Sequence, residues 1–475
     1  MTLRYSNAHL TFALVADFLR ANKYTDALAS LRQEAPEYFP DASSTATVYD
    51  AAMQDAFRSP HSHPSSAGLL MDMVAQWQED RLREQLAQSR LHAHHDDALL
   101  TLTSAFGDRL ATMQRFSTIS HLHDKNIIAL TSWPCMQTEG MSWLLTSSAD
   151  RTLKLVDLVH GIVMATLFDA SLTENQGLSG LPHRSPILVV SVHPHDPMVI
   201  LTASMDGSHA LSRLHLNADG SAGLECLQTW QDHRKYIVRA QFSPDGHWMA
   251  TASYDKTLRV YVDVGYAQQQ VGMVLPPGPA TDRYRLVFSQ AYPGTVEGMC
   301  FVNEPLAVVI SVRDDNYLHY YHLPTFEEQK YNMNASGDDV VSFTAMHLLP
   351  SPCAIHGQRY LLVATDQENG RSILFGAHSD RQVRQFYGVQ IDGYSQPRHC
   401  WMPDASHFYA TSDADHAVWV FRISDGKCIR KLGGVDADAE YSGQGHRGIV
   451  RDLVFDASTG TLITASYDQT VALWR

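Results

Sequence analysis

The sequence predicts a mainly β protein made of repeated sheet units, preceded by a small α-helical module. Three stretches have the same pattern, a strand end, a tight turn containing Asp and an alternating strand: Ser148–Asp157, Ser253–Val262 and Ser466–Arg475. A His precedes each stretch at a similar distance, whereas apolar residues at helical spacing lie between Ser6 and Pro36. Self-similarity at a fixed period indicates the fold more strongly than any single local motif.

Composition and charge exclude several classes of function. The 475 residues are 44% hydrophobic, which predicts a folded globular chain. Lys and Arg number 36 against 51 Asp and Glu, and this net charge of −15 argues against a protein that binds phosphate backbones. The sequence has no apolar run of membrane-spanning length, no secretory pattern and no CxxC pair among six cysteines. We therefore expect a cytoplasmic or nuclear protein that binds neither nucleic acid nor membrane.

Two short amphipathic helices are predicted within residues 6–39. Asn7 caps the first helix and Thr25 caps the second, with Asn22-Lys23 at the turn between them. Helices of this size bury too little surface by themselves, and pairing with a second copy would complete their core. The apolar and aromatic residues expected at that interface are Leu10, Leu14, Phe18, Leu19, Tyr24, Leu28 and Leu31.

The segment Leu14–Ala35 resembles the LisH motif, a small helical dimerisation module. Phe18-Leu19, Tyr24 and Leu31 fall at its apolar positions, whereas Lys23 stands where the motif usually has Gly. The resemblance implies a homodimer formed through residues 6–39. An ordinary helical hairpin that packs on the rest of the same chain is the alternative.

Residues 40–95 are predicted to connect this module to the repeats. Residues 40–66 are rich in Ser, Thr, Ala and Pro, which is typical of a flexible linker. Residues 67–95 form a helix, either a short coiled coil or a single packed helix. The cluster His92–Asp97 contains metal-ligand residue types, but no Cys or second cluster supports it, so we predict neither a metal site nor a cofactor.

The repeat array occupies residues 111–475. His123, His183, His233 and His446 precede the turn Asp of their units by 27, 23, 22 and 22 residues. Less regular copies of the turn and strands fill the gaps, which gives seven units: Asp315–Tyr321, Tyr360–Thr365 with Ser372–Phe375, and Asp415–Phe421. The array resembles WD repeats, and seven of them imply a closed seven-bladed β-propeller. In that family the outermost strand of the last blade comes from the start of the array, here Thr112–Thr118.

Three units contain the residue types of a hydrolase triad: His183, Ser204 and Asp206; His233, Ser253 and Asp255; and His446, Ser466 and Asp468. An enzyme needs one such site, not three. The WD resemblance implies that these residues form a buried turn network with a strand aromatic, here Tyr261 or Trp474. The sequence also has no P-loop, GxSxG or HExxH motif. We therefore predict no catalytic residues and no enzymatic activity.

The predicted function is a dimeric, non-enzymatic scaffold that presents a WD-repeat propeller to other proteins. The order of parts is similar to that of lissencephaly-type dynein regulators, transducin-beta-like corepressors and propeller subunits of a multi-subunit ubiquitin ligase. A ligase subunit that recruits or scaffolds substrates is the alternative, although the Trp-Asp-x-Arg pattern of many such subunits is missing from the third strands. An enzyme with an unrecognised site is a more distant alternative.

Overall fold

The computed structural model describes residues 113–134, 142–169, 182–216, 222–270, 274–337, 339–367, 370–391, 396–434 and 445–475. The chain divides into two units, Met1–His95 and Asp96–Arg475, and the described residues all belong to the second. The predicted LisH module (6–39), linker (40–66) and connecting helix (67–95) therefore lie outside the described residues, as does the cluster His92–Asp97. In the described part of the chain no helix has the length and apolar character needed to cross a membrane.

The described residues form seven antiparallel sheets of four strands each, the blades of a seven-bladed β-propeller. The first strands of neighbouring blades contact one another around the whole ring, so they lie nearest the central axis. The chain is mainly β, and the described segments contain a single six-residue helix, α1 (Val264–Gln269), which follows the third strand of blade 3.

The strand bounds follow the predicted units. Strand β1 (Arg115–Ile119) comes first in the chain and belongs to blade 7. Blades 1 to 3 contain β2 (Ile127–Pro134), β3 (Ser142–Ser148), β4 (Thr152–Asp157), β5 (Ile162–Asp169), β6 (Ile187–Val192), β7 (Val199–Ser204), β8 (His209–Leu216), β9 (Ala222–Trp230), β10 (Ile237–Phe242), β11 (Trp248–Ser253), β12 (Thr257–Asp263) and β13 (Tyr284–Ala291).

Blades 4 to 7 follow the same order. Their strands are β14 (Val296–Val302), β15 (Ala307–Val312), β16 (Tyr317–His322), β17 (Glu327–Asn332), β18 (Ala345–Pro350), β19 (Tyr360–Thr365), β20 (Ser372–Gly376), β21 (Gln382–Phe386), β22 (His399–Trp401), β23 (His407–Ser412), β24 (Ala417–Arg422), β25 (Cys428–Leu432), β26 (Val450–Asp456), β27 (Thr461–Ser466) and β28 (Val471–Trp474). The sequence prediction of seven units, including the less regular ones in blades 4 to 6, is confirmed.

Burial explains the hydrophobic pattern of the strands. Every residue is buried in six of the seven second strands, such as β11 (WMATAS) and β15 (AVVISV), because a neighbouring blade covers each face. The fourth strands lie at the rim, and β17 (EEQKYN) is largely exposed and charged. Charged residues on these rim strands discourage pairing with another chain.

The hydrophobic core is divided among the interfaces between blades. Seven buried clusters each join two neighbouring blades, for example Leu155 of blade 1 with Ile200 of blade 2. One of them places Ile463 of blade 7 against Leu144 of blade 1, so the ring closes through side chains. A blade cannot bury both of its faces alone, and the closed ring solves this for all seven.

Blade 7 closes through its hydrogen bonds as well. Its order is β1-β28-β27-β26, so the strand from the start of the array forms its rim, as predicted. The strand itself runs from Arg115 to Ile119 instead of Thr112 to Thr118. Backbone pairing begins at Gln114, which exchanges two hydrogen bonds with Arg475, at 2.7 and 3.0 Å.

One face of the propeller carries two kinds of connection. The chain enters each blade there, and the turn between the second and third strands of each blade lies there too, because neighbouring strands are antiparallel. We call this face the turn face. The predicted His and Asp residues all belong to its loops and turns.

Candidate functional site: the turn face

In blades 3 and 7 the predicted His and Asp residues meet. The Nδ1 atom of His233 donates to the Asp255 carboxylate at 3.1 Å, and that of His446 donates to Asp468 at 3.1 Å. The same carboxylates accept the backbone N–H of the residue that follows each His, at 2.9 and 2.8 Å. Each Asp therefore links the loop that enters the blade to the turn of that blade. We call these contacts loop-His clusters.

Blades 1 and 2 contain the same arrangement with one variation. His123 donates to Asp150 at 3.0 Å in blade 1. In blade 2 the ring of His183 lies 2.7 Å from the hydroxyl of Ser208, and Ser208 in turn donates to Asp206. The Asp206 carboxylate still accepts the N–H of Arg184 at 2.7 Å. A hydroxyl thus stands between the imidazole and the carboxylate in this blade.

A threonine on the second strand completes each loop-His cluster, and sequence reasoning missed it. The Nε2 atom of each His lies 2.7–2.9 Å from a threonine hydroxyl. The threonines are Thr146, Thr202, Thr251 and Thr464. In blades 2, 3 and 7 the threonine stands two residues before the Ser that was predicted instead. The pattern Thr-Ala/Ser-Ser, which is repeated in all four blades, was the signal that could have identified the threonines.

The serines and aromatics have other partners. The hydroxyl of Ser466 donates to the Gly448 carbonyl at 2.9 Å, and that of Ser253 donates to the Tyr236 carbonyl at 3.0 Å. Ser204 likewise donates to Ser185 and Pro186, both at 3.1 Å. The structure therefore brings each of these three predicted Ser residues to the backbone of the entering loop and not to the His of its cluster.

The two predicted aromatics occupy equivalent positions and bond differently. The Nε1 atom of Trp474 donates to Thr464 at 2.9 Å, so this indole joins the cluster of blade 7 through the threonine. In blade 3 the hydroxyl of Tyr261 donates to Asp232 at 3.0 Å, at the residue before His233. Both side chains are buried, with exposures of 2% and 0%.

Burial and the cluster hydrogen bonds shift the pKa values of the cluster residues. Burial acts to raise the pKa of Asp255, but hydrogen bonds from His233, Thr257 and Arg234 outweigh it and hold the pKa well below its usual value. The pKa of Asp468 is lowered in the same way. In blade 2 burial dominates for the imidazole and lowers the pKa of His183 to about 4, against the opposing charge of Asp206.

In blades 4 and 6 a ring on the third strand donates to the turn Asp. The Nε2 atom of His319 donates to Asp315 at 3.0 Å, and the Nε1 atom of Trp419 donates to Asp415 at 2.9 Å. In both blades the ring stands four residues after the Asp. These strand-ring clusters connect the turn to its own hairpin and leave the entering loop out.

The turn face also exposes large apolar side chains, which sequence reasoning did not single out. Two lie in turns between second and third strands, and three lie in loops that enter blades 5 and 6. They are Met205, Val340, Val341, Tyr387 and Tyr467, with exposures between 37% and 66%. Exposed Met and Tyr on a rigid frame are typical of protein-binding surfaces.

The fold and these turns define the class of protein: a seven-bladed β-propeller that contains WD repeats. Residues 224–261 and 439–475 match the family model described as "WD domain, G-beta repeat", and these segments include parts of blades 3 and 7. The chain is also similar to the transcriptional corepressor LEUNIG_HOMOLOG of Arabidopsis thaliana, at 22% identity over 313 residues. That match covers 58% of this chain and 35% of the relative, so the chain spans about a third of the relative's length.

Proposed function

We propose that this protein is a non-enzymatic, dimeric scaffold that presents the turn face of its propeller to partner proteins. The observation that carries the proposal is the set of exposed apolar side chains on that face. Met205 and Tyr467 supply large contact areas and stand on turns that follow buried strands, and Tyr387 adds contact area from the loop that leads to blade 6. Burying such side chains against a partner provides most of the binding energy in a typical interface.

The loop-His clusters support a rigid interface. We propose that they are structural and hold the entering loop and the turn of each blade in one geometry. Residues held before binding lose less conformational entropy when a partner docks, so the same contacts yield a higher affinity. Tyr467 lies in a turn whose Asp468 is bonded to His446 and to the N–H of Arg447. Its exposed ring therefore stands on a fixed support.

The relative's name supports the same class of function. A transcriptional corepressor acts through assembly with other proteins, and a chain of similar sequence would use the propeller for that purpose in the nucleus. The net charge of −15 favours a protein partner over nucleic acid.

Dimerisation through residues 6–39 is the second part of the proposal. Two propellers joined by a dimer would contact a repeated or dimeric target twice, and the second contact would gain from a high effective concentration. The interface residues remain those predicted from sequence: Leu10, Leu14, Phe18, Leu19, Tyr24, Leu28 and Leu31.

Copurification with mass spectrometry tests the turn-face part. We expect Met205→Asp combined with Tyr467→Asp to lose the proteins that copurify with the wild-type chain, because both charges would be buried in the interface. The matched control is Ile162→Asp combined with Val163→Asp on β5, since these side chains are similarly exposed, at 53% and 39%. Equal loss from both double variants, or retention in both, would contradict the assignment of the turn face.

Light scattering tests the dimer. The wild-type chain should have twice the mass of one chain at micromolar concentration, and Phe18→Asp should have the mass of a single chain with the propeller still folded. A wild-type protein with single-chain mass would contradict dimerisation and leave the turn-face proposal standing.

A further inference from the structure

One position in each first strand, or in blade 6 the residue just before it, forms a ring around the central axis, close to the turn face. The seven residues share a register: each pairs with the residue just before the end of the second strand of its blade. We call them the channel ring. In blade order they are Ala129, Val189, Arg239, Gly298, His347, Arg398 and Asp452.

The ring concentrates positive charge on one side of the channel. Arg239 and Arg398 are members, and Arg451 stands next to the ring position of blade 7. Blades 1, 2 and 4 contribute only the small uncharged residues Ala129, Val189 and Gly298. This basic group contrasts with the net charge of −15 for the chain as a whole.

Arg239 reaches across the ring without meeting a carboxylate. Its guanidinium donates to the Val238 carbonyl at 2.9 Å and to the Met346 carbonyl of blade 5 at 3.1 Å, with glycine at the ring position of the blade between. The residue is 6% exposed, and its Nε donor is buried without a hydrogen-bond partner among the described residues. A buried unpaired donor on a cation is costly to leave unmatched.

The other two arginines also lack a negative partner in the described part of the chain. Arg451 donates to the side chain and carbonyl of Gln396, at 2.6 and 3.4 Å. For the Arg398 guanidinium no acceptor of the described residues lies within hydrogen-bond distance. Arg398 is partly buried and keeps some contact with solvent.

The two nearby carboxylates are bonded elsewhere. Asp452 accepts the backbone N–H of Leu130 at 2.8 Å and that of Leu453 at 3.0 Å. Glu297 accepts from Arg313 at 2.8 Å, which balances its charge outside the ring. Three guanidinium groups therefore face one carboxylate, Asp452, and the group has a surplus of two positive charges.

The pKa shifts of the ring residues agree with this surplus of positive charge. Burial, then the charge of Arg451, lowers the pKa of Arg239 to about 10. Burial, then Arg239 and Arg451, lowers the pKa of Arg398 well below its usual value. Burial, then Arg239 and Arg398, keeps the pKa of His347 far below 6.5, so this imidazole is neutral at pH 7. An added negative charge would relieve the repulsion among these groups.

We propose that the channel ring binds an oxyanion, a phosphate or carboxylate group, which enters from the turn face. Arg398 offers a planar set of donors without a competing acceptor among the described residues, and planar guanidinium groups match the geometry of phosphate and carboxylate. The net charge of −15 disfavours an extended polyanion, so the ligand is one compact group. It comes either from a partner protein's side chain, which would deepen and rest on the proposed scaffold function, or from free phosphate.

The first experiment measures thermal stability of the full-length chain in sodium phosphate and in sodium chloride at equal ionic strength and pH. A ligand that binds the folded state raises the melting temperature, and the rise grows with ligand concentration. Phosphate also stabilises proteins in general through exclusion from their surface, so variants must supply the baseline. The control is Lys330→Gln, at a rim residue with a side chain 49% exposed. We expect phosphate to raise the melting temperature of Arg398→Gln less than that of the control.

A second variant should bind phosphate more tightly than the wild type, a result that a folding defect would not produce. Asp452→Asn removes the one negative charge of the ring and keeps an oxygen that can accept from Leu130. We expect phosphate to raise its melting temperature more than that of the wild type. Equal phosphate effects on the wild type, Arg398→Gln and Asp452→Asn would overturn the proposal.

The second experiment identifies the source of the oxyanion. Fluorescence anisotropy compares labelled Ala/Gly peptides that carry one central phosphoserine, glutamate or serine. If a partner side chain is the ligand, the phosphoserine or glutamate peptide should bind the wild type about tenfold more tightly than the serine peptide, and Arg398→Gln should abolish that difference. A phosphate effect without any peptide preference would assign the site to the free anion. Partner copurification that survives Arg398→Gln while phosphate has no specific effect would remove the ring proposal and leave the scaffold intact.

Discussion

The turn Asp is bonded in one way in blades 1, 2, 3 and 7 and in another way in blades 4 and 6. In the first group a His from the entering loop is part of the cluster, as His233 is for Asp255. In the second group a ring on the third strand bonds the Asp, as Trp419 does for Asp415. The first arrangement links the entering loop of a blade to the turn between its second and third strands, whereas the second links that turn only to its own hairpin.

Blade 4 shows what replaces the loop His. Tyr292 stands at the position of His233 and donates from its hydroxyl to that of Tyr321, at 2.5 Å. His319 bonds Asp315 through Nε2 and the rim residue Glu328 through Nδ1, at 3.0 and 2.8 Å. The cluster has therefore moved from the loop toward the rim of the blade.

The two groups of blades also expose apolar side chains at different places: Met205 and Tyr467 lie in turns of blades 2 and 7, whereas the other three lie in entering loops. Val340 and Val341 lie in the loop that enters blade 5, and Tyr387 lies in the loop that leads to blade 6. No loop-His cluster holds these loops within the described residues. The turn face thus has a part fixed by loop-His clusters, in blades 7 and 1 to 3, and a part whose described residues place no imidazole between loop and turn. In this second part single backbone amides make the link, such as that of Thr344 to Asp366 at 2.8 Å, and the loops can adapt to a partner.

Acidification should produce the largest change in the free energy of unfolding, through His183 in the fixed part of the turn face. The pKa of His183 is about 4 in the folded chain, below the ordinary 6.5, so the unfolded chain binds the proton first as pH falls. The stabilisation is therefore complete above pH 6.5 and is lost as pH falls toward 4, by about 3 kcal/mol in total. Urea unfolding at pH 7, 5.5 and 4.5 measures this loss. His183→Asn should show a flatter dependence over the same range, and an unchanged slope would exclude His183 as a source.

Removal of the turn Asp should separate the two kinds of cluster. Asp255 accepts from His233, Arg234 and Thr257, so Asp255→Ala should lower the free energy of unfolding by about 2–3 kcal/mol, and Asp468→Ala by a similar amount. Asp415 accepts from Trp419, and its second oxygen has no partner among the described residues, so Asp415→Ala should cost about 1 kcal/mol. Chemical denaturation gives all three values. Equal costs would show that the entering loop contributes nothing.

A stabilising substitution sharpens the comparison within the fixed part. His209 is fully buried in blade 2, and neither ring nitrogen has a hydrogen-bond partner among the described residues. Leu153, Leu258 and Val471 occupy the equivalent position in the other three blades with loop-His clusters. His209→Leu should raise the free energy of unfolding by about 1 kcal/mol, because it removes two unsatisfied buried polar atoms. A decrease on thermal denaturation would mean that stacking of His209 on Trp230, at 4.8 Å, contributes more.

The sequence predicted the blades better than it predicted the contacts between them. Seven units and the strand that closes blade 7 follow from local patterns, because turn residues and alternating strands repeat along the chain. The threonines of the clusters were visible in the same repeats, but the triad comparison directed attention to the serines beside them. The charge surplus of Arg239, Arg398 and Arg451 could not be found this way, because only closure of the ring brings residues from three blades together.

Hydrogen exchange of the full-length chain, followed by mass spectrometry, tests most directly the claim that the clusters fix one part of the turn face. The amides of Arg234 and Arg447 donate to Asp255 and Asp468. In the loop that enters blade 5 the amide of Thr344 donates to Asp366 at 2.8 Å, but no imidazole among the described residues joins that loop to the turn, and Val340 and Val341 are exposed. We predict that peptides containing Arg234 and Arg447 exchange about tenfold or more slowly than the peptide containing Val340 and Val341, and that Asp255→Ala removes the protection at Arg234 alone. Similar exchange in all three peptides would contradict the account.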